Sequence, residues 1–362
     1  MSAAGFAPNK ILIVKWSALG DVVIASALME DVARAYPQAI IHLNTQTNCA
    51  GLFAHDPRFA EVWSIDVRSK TRRFANTLAW LKKVRSERYD LVIDLQASDH
   101  SRFLLTLLWL VGAAPRVRVG NLGGFPYTHR PAITEPGGHA LPMMQAVLEA
   151  VGISATTPHP VLYPPPERAA VVAALRREYG LDDDRYIVLL PGSHARVHLK
   201  RWGTQRYGEL ARRLYENGMP KIVLIGGADE ADVCAEIAAA GDWVVNLNGH
   251  LQLLDIALLC AGAAAIIGND TGTAHFASIA DKPLLVLCGP TDPRRVKPIG
   301  AHVVAVQATL PCINCYAKTC ANPDTLACMK AITPDWVAAS VPELIAGILH
   351  AGQRLPGELR SF

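Results

Sequence analysis

Apolar and polar positions along this chain follow two alternating rhythms. Short runs such as KILIVK (10–15), AIIHLN (39–44), EVWSID (61–66), DLVIDL (90–95) and RVRVG (116–120) have the length and β-branched content of buried strands. Between them lie stretches with apolar residues at helical spacing, for example 22–36, stopped by Pro37, and 74–88. Strands alternating with helices predict βαβ units and a parallel sheet. The segment TTPHPVLYPPPE (156–167) breaks the rhythm, because three consecutive prolines cannot continue a helix and stiffen the chain into a connector. The pattern then restarts with RYIVLL (185–190), KIVLIG (221–226), WVVNL (243–247), AAIIG (264–268) and PLLVLC (283–288). The expected fold is α/β, with two doubly wound, Rossmann-like domains, 1–160 and 161–362, facing across a cleft. Ligands of such sheets bind beyond the carboxyl ends of the strands.

Composition narrows the class. The 362 residues suit two domains, and 51% apolar with 19% charged residues supports a large core and excludes disorder. A net charge of +3 argues against a nucleic-acid partner, so any basic site must be local. The start, MSAAGFAPNK, has no apolar run of the secretory type. The most apolar stretch, FLLTLLWLVGAA (103–114), is short of the roughly 20 residues a spanning helix needs. It reads as a buried core helix, with a membrane-facing role as the rival. A cytoplasmic protein is expected, with peripheral contact at the inner membrane left open. Of eight cysteines, Cys49, Cys234, Cys260 and Cys288 read as core thiols. Cys312, Cys315, Cys320 and Cys328 crowd into one loop with two, four and seven residues between them. That is not a standard zinc-knuckle spacing, so reduced or adventitiously paired thiols in an ordered loop are the first reading and zinc the second.

Two constellations in the second half suggest an anion site. In IIGNDTGTAHFASIADKP (266–283) a strand ends at Asp270 and a helix opens at Thr271, Gly272 and Thr273, with His275 in its first turn. Free N–H groups at such a start attract phosphate; the plainer alternative is an aspartate cap with a packed histidine. In LLPGSHARVHLKRW (189–202) a strand runs into a turn carrying Ser193 and then Lys200, a point charge suited to phosphate, unless these are only solvated loop charges. Glu230, past the next strand, could accept from ribose hydroxyls. Neither turn is a P-loop or a GxGxxG fingerprint, which disfavours a dehydrogenase. In the first half, SALGD (17–21) sets Asp21 after a strand, as a helix cap or as a base. Arg68, Lys70, Arg72 and Arg73 form a basic run that is either a solvated face or an attractor for an anionic acceptor.

SALGDVV, DLVIDLQ (90–96), PGS…KRW, GNDTGTAHFAS…KPLLVLCGPTDP (268–293) and PCINC…C…CMKAI follow one another over nearly the whole chain. In these motifs the sequence resembles glycosyltransferase family nine, the ADP-heptose:lipopolysaccharide heptosyltransferases of the GT-B fold, and its cysteine loop leans towards the heptosyltransferase II type. Ala27 and Gly203 stand where many relatives have proline. The resemblance implies inverting transfer of heptose from an ADP-sugar donor to the anionic inner core of lipopolysaccharide. By position it makes Asp21 the general base. Ser193, Lys200, Asp270, Thr271, Gly272 and His275 fall in the donor site, with Glu230 and the backbone near Leu251 around the adenosine. Arg68, Lys70, Arg72 and Arg73 fall in the acceptor loop. No cofactor and no metal is expected, since lysine and backbone donors can carry the diphosphate charge. The rivals are another nucleotide-sugar enzyme of the same fold, with a different donor sugar or epimerase activity, and a non-catalytic nucleotide-binding module. A final helix packing back on the first domain is also entertained.

Overall fold

In the computed structural model, which describes residues 6–66, 71–132, 138–193, 195–355 and 359–362, the apolar runs become strands buried on both faces. Internal contacts divide the chain into two units, Met1–Tyr163 and Pro164–Phe362. In the first, β1 (Lys10–Val14), β2 (Ile40–Thr45), β3 (Glu61–Ser64), β4 (Leu91–Asp94) and β5 (Val117–Gly120) form a sheet in the order β3-β2-β1-β4-β5. All its pairs are parallel, with Ile11 opposite both Ile41 and Leu91.

The helices of this unit are α1 (Leu19–Ala35), α2 (Thr47–Ala50), α3 (Arg73–Glu87), α4 (Asp99–Leu110) and α5 (Ala140–Glu149). The chain moves one way from β1 to β3 and the other way from β3 to β5. Right-handed crossovers therefore set α1 on one face and α3 and α4 on the other; α1 packs with α5, and α3 with α4. Leu12, Val14 and Val92 of the sheet meet Trp80 and Val84 of α3 and Leu104, Leu105 and Leu108 of α4 in one core. The stretch read as a buried core helix is buried on one face alone. Phe103, Trp109 and Leu110 of α4 are 48%, 49% and 64% exposed, because a helix on an outer layer can turn only part of its circumference to the sheet.

The proline-rich connector belongs to the first unit up to Tyr163, held there by polar contacts with α1. Thr157 donates its N–H and hydroxyl to Asp31 (3.1 and 2.6 Å), and the Val161 N–H donates to Ser26 Oγ (2.9 Å). The Arg58 guanidinium pairs with Asp56 (2.6 Å) and donates to the carbonyls of Ser26 (2.9 Å) and Val161 (3.0 Å).

The second unit holds β6 (Tyr186–Leu190), β7 (Lys221–Leu224), β8 (Val244–Asn246), β9 (Ala265–Asn269), β10 (Leu284–Cys288), β11 (Val303–Ala308), β12 (Arg354–Leu355) and β13 (Leu359–Ser361). Their order is β12-β13-β11-β10-β9-β6-β7-β8, parallel from β11 to β8, with β13 antiparallel to β11 and β12. Its helices are α6 (Pro166–Tyr179), α7 (Thr204–Glu216), α8 (Ala231–Ala238), α9 (Leu253–Cys260), α10 (Gly272–Ala277), α11 (Pro293–Val296), α12 (Ala327–Lys330) and α13 (Pro334–Ile345). The final helix, α13, packs on α7, and Val337, Ala338, Val341 and Leu344 join the core of its own unit. Strands β11 to β13 fall outside the sequence expectation. Before β11 the connection holds only the four-residue α11, so no amphipathic helical pattern introduces that strand. Among the described residues no helix is long and apolar enough to cross a membrane.

Arg58→Ala should destabilise the first unit by about 3–5 kcal/mol, because it strands the buried Asp56 carboxylate and frees the connector. Chemical denaturation monitored by circular dichroism checks this, and a loss below about 1 kcal/mol would mean that the pair is replaced by water.

Candidate active site

In the second unit the chain runs from β6 to β7 and β8 on one side, then returns to β9 and β10 on the other. The order reverses between β6 and β9, and a crevice is expected beyond their carboxyl ends. Both ends are fixed by one buried amide. Asn269 donates from Nδ2 to the carbonyls of Pro191 (2.8 Å) and Gly192 (3.0 Å). Its Oδ1 accepts from the Trp202 N–H (3.2 Å) and the Tyr207 hydroxyl (3.1 Å). Trp202 is fully buried and its indole donates to Ile332 O (2.7 Å), so the Lys200–Trp202 turn is anchored in the core.

That anchorage brings Lys200 to Asp270. Its ammonium lies 2.6 Å from Asp270 Oδ2, and the same oxygen accepts from the Thr291 hydroxyl at 2.7 Å. The sequence suggested Lys200 and Asp270 as separate ligand contacts; here they are partners, the aspartate side chain buried and the lysine side chain one-fifth exposed. Thr271 precedes α10 as its cap position, Gly272 and Thr273 open the helix, and all three are half-buried. His275 is buried in the same helix. Arg201 reaches back to Ser193, donating to its carbonyl (2.8 Å) and its hydroxyl (3.3 Å).

Glu230 completes the cluster on the β7 side. Its carboxylate accepts from the Gly227 N–H at 2.6 Å and lies against the Gly192 backbone so closely that a Cβ there would sit 1.8 Å from it. Only glycine fits that approach. Burial raises the Glu230 pKa, the Gly227 N–H opposes the rise, Asp229 adds to it and Arg201 opposes it. Asn248 donates to Gly227 O (2.7 Å) from the loop after β8, and Leu251 lies half-buried farther along that loop. Ser193, Glu230, Lys200 and Asp270 thus occupy loops at the carboxyl ends of three adjacent strands.

In the first unit the order reverses between β1 and β4. Asp21 sits in the first turn of α1 just beyond β1, half-buried, and accepts weakly from the Ala18 N–H (3.3 Å). It is therefore a cap, though a long one that leaves carboxylate capacity for another partner. Gln96 ties the two strand ends together by accepting from the N–H groups of Trp16 (2.7 Å) and Ser17 (3.0 Å). Lys15 went unnoticed in the sequence. It is 4% exposed at the end of β1, and burial lowers its pKa against the opposing charges of Asp21, Asp94 and Cys49. A lysine closing the run ILIVK was the available signal. Asp94, wholly buried, accepts from the Tyr127 hydroxyl (2.6 Å), and burial raises its pKa.

Arg72 and Arg73 are exposed at the start of α3; Arg68 and Lys70 lie outside the described residues. All eight cysteines are free thiols, the four scattered ones buried. Among the described residues the group with metal-ligand spacing is His42, Glu61 and Glu87. There Lys83 lies 2.8 Å from Glu61 and 2.9 Å from Glu87, so an ammonium already supplies the positive charge.

The model of glycosyltransferase family 9 (heptosyltransferase) matches residues 77–326. Lipopolysaccharide heptosyltransferase 1 of Pseudomonas aeruginosa is 28% identical over 97% of this chain and 100% of its own. Lipopolysaccharide heptosyltransferase 2 of Salmonella typhimurium is also 28% identical, over 80% of this chain and 85% of its own. The solved E. coli ADP-heptose lipopolysaccharide heptosyltransferase II has the same fold, with a TM-score of 0.69 at 23% identity over 93% of this chain and 99% of that one. Two Rossmann-like units of the GT-B class, expected from the motifs, are thus the fold found. The chain belongs to glycosyltransferase family 9, the heptosyltransferases, and is a heptosyl-transferring enzyme.

Proposed function

We propose that this enzyme transfers a heptose from ADP-heptose to the inner core of lipopolysaccharide with inversion at the anomeric carbon. The observation that carries the donor half is the convergence of Ser193, Lys200, Asp270 and Glu230 at the order reversal of the second sheet. A diphosphate beside Lys200 would draw the ammonium from Asp270, whose second partner, Thr291, continues to hold the carboxylate. Lys200 and the N–H groups opening α10 then stabilise the charge that grows on the leaving ADP. No metal is needed in this scheme. Glu230 accepts from the ribose hydroxyls, and the backbone near Leu251 borders the adenine.

On the acceptor side Asp21 takes the proton of the attacking hydroxyl while the bond from the anomeric carbon to the diphosphate oxygen breaks. Its position in the first turn of α1, just beyond β1, supports that role. The basic run Arg68, Lys70, Arg72 and Arg73 attracts the phosphates of the acceptor. The relatives' names carry the acceptor assignment, and the lipopolysaccharide core at the cytoplasmic face of the inner membrane is the setting it implies.

Asp21→Asn should bind ADP like the wild type and lose about 10²–10⁴-fold in turnover. Near-wild-type turnover at saturating substrates would make Asp21 a cap alone. Lys200→Ala should weaken ADP binding by roughly 1.5–3 kcal/mol, measurable by calorimetry. An unchanged affinity would remove Lys200 from the donor site.

The ribose role of Glu230 requires its ionised form, and its pKa is raised by burial. ADP affinity should therefore hold at neutral pH and fall as pH drops through a window above the ordinary glutamate range. Glu230→Gln should bind about tenfold more weakly at neutral pH and show no such fall. Parallel pH profiles for the two proteins would assign the loss to another group.

A further inference from the structure

Beyond Arg73, which opens α3, the outer surface of the α3–α4 layer has no role in the transfer just described, yet its chemistry is organised. On α3, Phe74, Leu78, Lys82 and Arg85 follow one another at intervals of four, four and three residues, which places them on a single stripe. That stripe points away from Trp80 and Val84, the residues α3 buries. Phe74 is 84% and Leu78 58% exposed. On α4, Phe103 and Leu110 share the exposed side. Beside them Trp109 packs edge-on against the exposed Phe125, with ring centroids 5.1 Å apart. Exposed apolar groups gathered on one face mark an interaction site more often than chance.

Cations adjoin this apolar surface. The chain leaves α4 through Val111 and at once lines an open recess of about 610 Å³, from Gly112 to Arg116. Lys82, Arg85, Arg88 and Arg116 supply its charge. None of the four has a carboxylate within ion-pair distance among the described residues, whereas Lys10 and Lys83 nearby are paired with Glu87. The one acid lining the recess, Asp90, accepts from the backbone N–H groups of Asn9 (2.8 Å) and Lys10 (3.0 Å). A phosphate entering the recess would thus meet unpaired cations.

We infer that the outer face of the α3–α4 layer is a docking surface for an anionic phospholipid bilayer, with Phe74, Leu78, Trp109 and Leu110 entering the interfacial region and the Lys82–Arg116 recess taking lipid phosphates. Charge complementarity selects this occupant over a second copy of the chain, whose matching recess would bring like charges together. Aromatic side chains are at home at the headgroup level, and each surface cation adds to the attraction of an anionic leaflet. The apolar side chains would sit in the interface without spanning it, as the absence of a spanning helix among the described residues requires. The inference rests on this surface alone and not on the donor or acceptor assignment.

Vesicle flotation of the whole protein tests it with neither substrate present, using phosphatidylcholine vesicles with and without phosphatidylglycerol. The wild type should float with the anionic vesicles, release as salt rises, and stay behind with the neutral ones. Brominated acyl chains should quench Trp109, the exposed one of the chain's seven tryptophans. Replacing Arg85, Arg88 and Arg116 together by serine should lower binding on the order of 100-fold. Trp109→Ser with Leu110→Ser should lower it about tenfold or more. Both variants should keep the wild-type thermal midpoint and its turnover on a short, lipid-free acceptor. Equal flotation with neutral and anionic vesicles would overturn the inference, as would undiminished binding by the charge variant. A wild-type dimer that the apolar variant splits would overturn it in favour of a second copy of the chain.

Discussion

Four hydrogen bonds to the Asn269 side chain hold the second unit's site together. The amide is wholly buried, and both of its N–H groups and both lone pairs of its oxygen are used. A buried amide so satisfied accepts no other arrangement, since any shift would leave a polar group unpaired in a dry environment. It therefore fixes the end of β9 to the turn after β6 and to the segment that carries Lys200. Loop residues 70 positions apart in sequence, such as Lys200 and Asp270, meet because of it. The first unit repeats the device: Asn44, also wholly buried, accepts from the indoles of Trp16 (2.9 Å) and Trp80 (2.8 Å) and donates to Trp63 O (3.3 Å).

On these two frames charge is arranged differently. In the second unit Lys200 and Asp270 neutralise each other, so a cationic group lies in a largely buried place without an unpaired charge. In the first unit Lys15 is buried, and burial lowers its pKa against the opposing charges of Asp21, Asp94 and Cys49. Both follow from loops set at the carboxyl edge of a parallel sheet, where strand ends expose backbone and side chains to a ligand.

The helical layer over the first sheet shows how one segment can serve two purposes. Helix α4 spends Leu104, Leu105 and Leu108 on the core, and what remains of its apolar content lies outside. Hydropathy alone counts both sets together, so it could not separate core from surface. The helical period and the position of the sheet separate them.

By itself the sequence determined the alternation of strands and helices, the place where that alternation breaks, and the motifs that bring the family to mind. Those are local properties: β-branched runs, helical spacing, prolines and glycines act within a few residues of themselves. The tertiary structure decided the rest. It paired Lys200 with Asp270, folded Glu230 against Gly192, turned Lys15 inward behind Asp21 and gave β11 its antiparallel neighbour β13. Each of these brings together residues or elements distant along the chain or set by strand order, and none is written in the spacing of nearby residues. The fold class was legible because hydrophobic periodicity is a one-dimensional signal; the partners within the site were not, because they are chosen by the order of strands in the sheet.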